Sequence, residues 1–122
     1  MKVAYPSADC KNISVTGPRT RRFVVLDVAS YRIVNKDCRE VPAEPSGRHG
    51  HHHHIEEDDR DPEHARWHLA VLNTLKDVDV VVAFHMGPTM VRALEALGKR
   101  VLLEVYASDE EELIEVLRQR GL

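Results

Sequence analysis

The sequence predicts one α/β domain over residues 1–122, with a mixed central sheet of about five strands and flanking helices. Short apolar or alternating segments typical of strands fill the first third of the chain, and helical and strand patterns alternate through the second half. The chain can form a single compact core, because 43% of its 122 residues are hydrophobic. Strands that alternate with helices are expected to be parallel and joined by right-handed crossovers.

Four segments in the first third of the chain have strand patterns. Lys2 to Tyr5 is short and apolar, and Phe23 to Val28 is apolar and β-branched, as in a buried strand. Tyr31 to Lys36 alternates in character, and only the dipeptide Ala29-Ser30 separates it from the strand before, so we expect a hairpin. Asn12 to Val15 is a candidate short edge strand.

The stretch from Arg39 to Asp61 contains no periodic pattern that could form part of a core. It holds prolines and glycines, then a run of histidines, then a run of acidic residues. Structureless segments of this length are uncommon in compact domains and are usually functional or disordered. We therefore predict a His-rich loop at about residues 39–61.

A helix and a strand follow this loop. Asp61 can cap the N-terminus of a helix that begins at Pro62 and runs to about Lys76. The apolar run from Val78 to Phe84 then predicts a buried strand. The spacing of apolar residues predicts that the core face of the helix consists of Ala65, Leu69, Leu72 and Leu75.

The next helix is predicted over Thr89 to Leu97, after a turn at Met86-Gly87-Pro88. Gly98 can end this helix in a left-handed conformation, and Val101 to Val105 has the composition of another strand. The residues expected to face the core from this helix are Val91, Leu94 and Leu97.

The last helix has a clear start signal. Ser108 and Glu111 have the spacing of a capping box, and the acidic residues Asp109 to Glu112 suit the positive end of a helix dipole. Gly121 follows the last turn. The residues expected to pack from this helix are Leu113, Ile114 and Leu117.

Charge and hydropathy exclude several classes of protein. The 17 Lys and Arg residues against 20 Asp and Glu give a net charge of −3, unlike that of a basic nucleic-acid-binding module. The longest apolar runs are far shorter than the roughly 20 residues of a membrane span. The N-terminus also lacks the apolar region of a signal peptide. We expect a cytoplasmic protein that binds neither nucleic acid nor a membrane.

Histidines and acidic residues in the predicted loop form the first candidate site. Five of the eight histidines of the chain are His49, His51, His52, His53 and His54. The residues from His49 to Glu63 carry a net charge of −5, which attracts cations, and imidazole binds transition metals such as Zn, Cu, Ni and Fe. Ligands on a glycine-bearing loop predict loose, exchangeable metal binding. A solvated polar loop with no metal function is the alternative.

His64 and His68 form the second candidate, a pair on one face of the first helix. Their spacing of four residues is that of a two-point metal clamp. The alternative, which we favour, is that His68 is a hydrogen-bonded histidine at the boundary of the core and His64 a surface residue of the first turn.

The turn after the strand Val78 to Phe84 is the third candidate. Ligands of open α/β sheets bind where a strand ends and a helix begins, and the amides of Thr89 and Met90 could hold an anion or cluster over Gly87. His85 and Met86 offer nitrogen and sulfur to a metal. We expect His85 to be at least partly exposed, in a cleft bordered by residues 8–19. A plain strand-to-helix turn is the alternative.

Cys10 and Cys38 are isolated in sequence, and neither has a Cys-x-x-Cys partner. Both follow predicted strands. A buried or inert thiol is the favoured interpretation of each. The alternative is a thiolate ligand to an iron–sulfur cluster, held together with His85 at one end of the sheet.

Several segments together resemble the dinitrogenase iron–molybdenum cofactor biosynthesis family, which includes NifX-like proteins and the C-terminal part of NifB-type proteins. They are the opening MKVAYPSADCKNIS, the strand FVVLDV, the His-rich loop, the acidic last helix and the segment DVDVVVAFHMGPTMVRALEALGKRVLLEV. The resemblance covers nearly the whole chain. Its most specific part is the strand, the Met-Gly-Pro turn and the helix that follows.

The resemblance implies a ribonuclease H-like layer and a non-catalytic role in binding or carrying iron–molybdenum cofactor or its iron–sulfur precursors. Two positions depart from the family pattern. Thr16 stands where the family has a histidine, which removes one candidate ligand. Phe84 and His85 stand where the family often has two glycines, which adds bulk and an imidazole.

Our leading hypothesis is therefore a non-enzymatic accessory protein that binds a divalent transition metal, an iron–sulfur cluster or an iron–molybdenum-type cluster, with a cofactor-biosynthesis protein as its partner. One alternative is a ribonuclease H-like hydrolase, which would need converging carboxylates. Another is a structural or protein-binding domain whose histidine loop is incidental.

Overall fold

The structure, a computed structural model, describes residues 1–14, 21–43 and 62–122; the side chains of residues 63 and 64 also lie outside the description. These described residues form eight elements: β1 (Lys2–Pro6), β2 (Arg22–Ala29), β3 (Arg32–Glu40), α1 (Pro62–Thr74), β4 (Val80–Val82), α2 (Pro88–Ala96), β5 (Arg100–Leu102) and α3 (Glu110–Gln119).

The five strands form one sheet in the order β3-β2-β1-β4-β5. β2 is antiparallel to both of its neighbours, whereas β1, β4 and β5 are mutually parallel. β3 consequently runs in the same direction as β1. The predicted mixed five-stranded α/β architecture is confirmed. Four strands end at the same edge of the sheet, which we call the carboxyl edge.

Helices cover both faces of the sheet. On one face, Leu113 and Leu117 of α3 pack with Val3 and Tyr5 of the central strand. On the other face, buried residues of α1 and α2 pack with Ala4, Phe23 and Val81. The helices bury side chains on both faces of β1, β2 and β4. This burial explains why these strands contain continuous runs of Val, Ala and Leu.

The hairpin between β2 and β3 turns one residue later than predicted. Ser30 and Tyr31 form the turn, with φ angles of 52° and 63°. Positive φ at both central residues is typical of a type I′ turn, which these two residues adopt without the usual Asn-Gly signal. A register shift at Asp27/Val28 changes which residues of β3 face each side of the sheet. β3 also continues to Glu40, into the stretch predicted as loop.

The predicted short strand after β1 is wrong within the described residues. Residues 12–14 have no strand geometry, although Ile13 is buried and the Ser14 N–H donates to the Pro6 carbonyl at 2.8 Å. Ile13 therefore packs as an anchor for a loop and not as part of an edge strand.

The core face of α1 also differs from the prediction. Trp67, Val71 and the following Leu75 are buried, whereas Leu69 is 68% exposed. Ala65 and Leu72 are only partly buried. Both sets of apolar residues have helical spacing, so the pattern could not decide between the two faces, and the larger Trp67 ring occupies the core.

The ends of α2 and α3 differ by single residues from the prediction. α2 buries Met90 and Leu94, but Leu97 is 58% exposed beyond its last turn. Asp109, and not Ser108, caps α3 by accepting from the Glu112 N–H at 2.8 Å. Gly98 has the predicted left-handed backbone, with φ of 83°.

Candidate functional site

The carboxyl edge gathers the segments that the sequence singled out. The loop after β1, the turn after β4 and the N-termini of α2 and α3 all meet there, because β1, β4 and β5 are parallel. In open α/β sheets this edge is where ligands bind.

The segment after β4 is held by hydrogen bonds to the segment after β5. The Ala83 N–H donates to the Leu102 carbonyl at 2.9 Å, and the Glu104 N–H donates to the Phe84 carbonyl at 2.9 Å. His85 follows directly and its side chain is exposed, as predicted. The backbone that precedes His85 is therefore fixed, and the imidazole is accessible at the carboxyl edge.

Met86 does not contribute its sulfur to this surface. Its side chain is 4% exposed and packs in the core beneath α1 and α2. The expectation that His85 and Met86 would both face a metal is therefore wrong for Met86. His85 alone supplies a metal-binding atom from this pair.

The N-cap residue of α2 has no side chain that could cap the helix. Gly87 is the N-cap residue, Pro88 occupies the first turn, and among the described residues no N-cap side chain accepts from the first N–H groups. Gly87 has φ of −64° and ψ of 147°, which any residue preceding proline adopts, so the backbone does not require glycine here. Thr89 is half-buried and the side chain of Met90 is buried in the core.

A small recess lies at the same edge on the α3 side of the sheet. Tyr5, Lys11, Ile13, Ala107, Asp109, Glu110 and Leu113 line it. Its volume of ≈ 10 Å³ corresponds to about one water molecule. His85 is not among the lining residues, so this recess is not the predicted cleft beside His85, and it is too small for a metal cluster.

Asp9 organises the loop after β1. Its carboxylate accepts hydrogen bonds from the backbone N–H groups of Lys11 and Asn12, both at 2.9 Å, and from the Ser7 hydroxyl at 3.0 Å. These donors hold the pKa of Asp9 well below its usual value, with the backbone of Asn12 contributing most. The Tyr5 hydroxyl donates to the Lys11 carbonyl at 2.8 Å.

Cys10 and Cys38 are joined by a disulfide, with their Cα atoms 5.7 Å apart. The interpretation of two isolated, inert thiols is wrong, and neither sulfur can serve as a thiolate ligand while the bond is intact. The pairing follows from topology, because both residues lie at the carboxyl edge, Cys10 beyond β1 and Cys38 near the end of β3. Sequence reasoning placed Cys10 at this edge, left the position of Cys38 relative to the cleft open, and did not pair the two.

Of the two histidines that the sequence predicted as a possible clamp on α1, the structure describes only the side chain of His68. His68 is 6% exposed and lies on the side of α1 that faces the core, next to Trp67. The side chain of His64 lies outside the description. Among residues 1–14, 21–43 and 62–122, no group of three or more His, Cys, Asp or Glu side chains could hold a metal ion.

His49, His51, His52, His53 and His54 lie outside the described residues. The residues on either side of that segment are placed. Val41 is buried, and its N–H donates to the Arg21 carbonyl at 2.7 Å beside the end of β3. Pro62 starts α1, whose other end leads into the beginning of β4. Both ends of the segment therefore join the rest of the chain at the carboxyl edge.

Comparison with known proteins identifies the family. The sequence model described as dinitrogenase iron-molybdenum cofactor matches residues 1–120. The chain belongs to the dinitrogenase iron-molybdenum cofactor family. This confirms the resemblance that the sequence suggested and accounts for nearly all of the chain.

Structural comparison supports the fold of this family member. The crystal structure of PH0822 superposes with a TM-score of 0.68 and 22% sequence identity, over 98% of this chain and 92% of that one. At this identity the likeness concerns the fold alone. No curated protein matches the chain. Within the parts of the family member that the structure describes, every helix is too short or too polar to cross a bilayer.

Proposed function

We propose that the protein binds and carries a metallocluster of the iron–molybdenum type, or an iron–sulfur precursor of it, without catalysing a reaction. Membership of the dinitrogenase iron-molybdenum cofactor family over residues 1–120 is the observation that carries this proposal. The cluster is the cargo of the protein and is passed on to a partner in cofactor biosynthesis.

His85 is the proposed protein ligand. Its imidazole is exposed at the carboxyl edge, and the backbone before it is fixed by the hydrogen bonds of Phe84 and Ala83. Bridging sulfides hold a preassembled cluster together, so the protein needs to supply only a terminal ligand for attachment, and the imidazole of His85 can be that ligand. A single ligand on a fixed backbone suits a carrier protein, because only one bond between protein and cluster must break for the cluster to be released.

The N-terminus of α2 would supply the electrostatic part of the site. The first N–H groups of a helix have no partner within the helix, and they carry a partial positive charge. We place an anionic cluster near Gly87 and the backbone of Thr89, beside His85. The N-cap residue is glycine, so the N-cap itself has no side chain that covers the first turn.

The histidine segment would act as a capture arm for divalent metal ions. His49 and the run His51 to His54 carry the imidazoles, and the segment joins the rest of the chain at the carboxyl edge. Ligands tethered near a fixed site raise the local concentration of metal there. His64 belongs to the same arm in this proposal, whereas the burial of His68 argues against a role for that residue.

We also assign the sheet to the ribonuclease H-like layer and the protein to the cytoplasm. The strand order β3-β2-β1-β4-β5 with β2 alone antiparallel supports the first assignment. Nothing in the described residues favours the hydrolase alternative, because they contain no group of three carboxylate, imidazole or thiol ligands for a metal.

Anaerobic reconstitution tests the proposal. Wild-type protein is incubated with iron and sulfide, or with isolated iron–molybdenum cofactor, and the bound metal, sulfide and visible absorption are measured after gel filtration. We expect wild type to retain a cluster and His85→Ala to lose most of it. Asn73→Ala serves as the matched control and should retain the cluster, because Asn73 is an exposed residue near the C-terminal end of α1, away from the carboxyl edge. Equal, near-zero loading of all three proteins would reject the carrier function.

A further inference from the structure

We propose that Cys10 and Cys38, when reduced, form a two-thiolate site for one soft metal ion, and that the disulfide is the closed state of this site. The proposal goes beyond cluster carriage and does not rest on it, because it uses neither His85 nor the N-terminus of α2.

The distance between the two cysteines fits a shared metal ion. A metal held at about 2.3 Å from each of two thiolates in tetrahedral geometry keeps the sulfurs about 3.8 Å apart. Cα atoms 5.7 Å apart already allow the sulfurs to bond directly. Opening the bond to the metal-bound distance therefore needs rotation of the two side chains and little movement of the backbone.

The backbone at both cysteines is held independently of the disulfide. Cys38 lies opposite Val24 in the ladder between β2 and β3. On the other side, the Asp9 carboxylate accepts hydrogen bonds from the backbone of the two residues that follow Cys10, and the Ser7 N–H donates to the Arg22 carbonyl at 3.0 Å. After reduction, the two thiols should remain close enough to chelate one ion.

The pair is accessible to both reductant and metal. Cys38 is exposed on the edge strand β3, and Cys10 is partly exposed in the loop after β1. Cys10 has φ of 63°, an unfavourable backbone conformation for a residue other than glycine. An exposed disulfide with an unfavourable backbone conformation at one of its cysteines is open to thiol–disulfide exchange with external thiols.

The chemistry of the switch balances with a dithiol as reductant. The dithiol gives two electrons and two protons to the Cys10–Cys38 bond and becomes a disulfide itself. Binding of a metal ion then displaces the two thiol protons to water, and the thiolates favour soft or borderline ions such as Cu(I) and Zn²⁺. Two coordination positions stay open, which suits exchange and not permanent storage. Oxidation of the pair by a small-molecule disulfide restores the bond and expels the ion.

Titration with Cd²⁺ tests this site, because a thiolate bound to Cd²⁺ gives an ultraviolet charge-transfer absorption that imidazole does not. Reduced wild type should show this absorption with a break at one ion per chain, and the oxidised protein should not. Cys10→Ser and Cys38→Ser should each lose it. A variant with His51 to His54 replaced by alanine should retain it, which separates this site from the histidine segment.

Reduced wild type blocked with iodoacetamide provides a control that needs no substitution. Circular dichroism confirms that each protein is folded. Absence of the thiolate absorption in reduced, folded wild type would overturn the proposal. A break at half an ion per chain with dimer formation would do the same, because the ion would then bridge two chains. Iron–sulfide loading of these samples shows independently whether the cluster function holds.

Discussion

Tyr5 couples the stability of the protein to alkaline pH. Burial raises the pKa of its phenol to about 12, and the nearby carboxylates of Glu110 and Asp9 add to this. The folded state therefore favours the neutral phenol. Its contribution to stability is complete below about pH 10, the unfolded pKa, and is lost as the pH rises to about 12.

We expect the free energy of unfolding of wild type to fall between pH 10 and pH 12. Tyr5→Phe should fall less steeply over this range, although it loses the hydrogen bond to the Lys11 carbonyl at every pH. Urea unfolding at several pH values measures the difference. Parallel slopes for the two proteins would show that Tyr5 is not the group responsible.

The disulfide should contribute measurable stability. It closes a loop across a sequence separation of 28 residues, for which the chain-entropy estimate is about 3.6 kcal/mol. We expect Cys10→Ser with Cys38→Ser to lower the free energy of unfolding by about this amount while the sheet persists, since β2 and β3 pair without it. Denaturant unfolding checks the magnitude, and a double variant as stable as oxidised wild type would contradict the expectation.

Two glycines at the ends of α2 should respond differently to alanine. Gly98 has φ of 83°, so a side chain there is strained, and Gly98→Ala should cost about 1 kcal/mol. Gly87 has φ of −64°, so Gly87→Ala should change stability by less than about 0.5 kcal/mol. Thermal unfolding of the two variants gives the comparison, and a large loss for Gly87→Ala would mean that close packing, not backbone conformation, requires glycine there.

At the scale of elements, the buried strands were the most predictable part of the fold. The central strands consist almost entirely of apolar residues, and only burial on both faces explains such runs. The core face of α1 was not predictable, because Leu69 and Val71 belong to two faces that are equally apolar in sequence. Which face packs depends on the shape of the space beneath the helix, and the indole of Trp67 decides it.

Leu94 and Leu97 test which residues of α2 face the core. Leu94 is completely buried, so Leu94→Ala should lower the free energy of unfolding by about 2–5 kcal/mol. Leu97 is 58% exposed, so Leu97→Ala should stay within about 0.5 kcal/mol of wild type. Chemical denaturation of both variants distinguishes this arrangement from the sequence prediction, in which both residues faced the core.

At the scale of the whole molecule, the candidate site was only partly predictable. The edge of the sheet at which the candidate site lies could be predicted from the strand order. The exposure of His85 could be predicted from its position directly after a strand. The disulfide did not, because its two residues meet only when β1, β2 and β3 are aligned side by side. The burial of Met86 also depends on how the turn after β4 sits over the core, and no local pattern of the sequence encodes that.

The histidine segment should bind metal without supporting the fold. Replacement of His51 to His54 by alanine should abolish weak binding of Ni²⁺ or Zn²⁺ and leave the unfolding temperature unchanged. Binding by wild type should weaken below about pH 6, because protonated imidazole cannot bind a metal. Calorimetric titration at two pH values measures both effects. Unfolding of the variant would show that the segment belongs to the core.

The central place of β1 in the sheet has a consequence for how the chain folds. β2 and β3 join through a two-residue turn, whereas Val3 must find Val80, roughly 77 residues away. The entropy of closing such a loop grows only with the logarithm of its length, so removing all of residues 44–61 would change the closure cost by roughly 0.2 kcal/mol. The histidine segment can therefore lengthen, shorten or change its composition while the domain continues to fold at nearly the same rate.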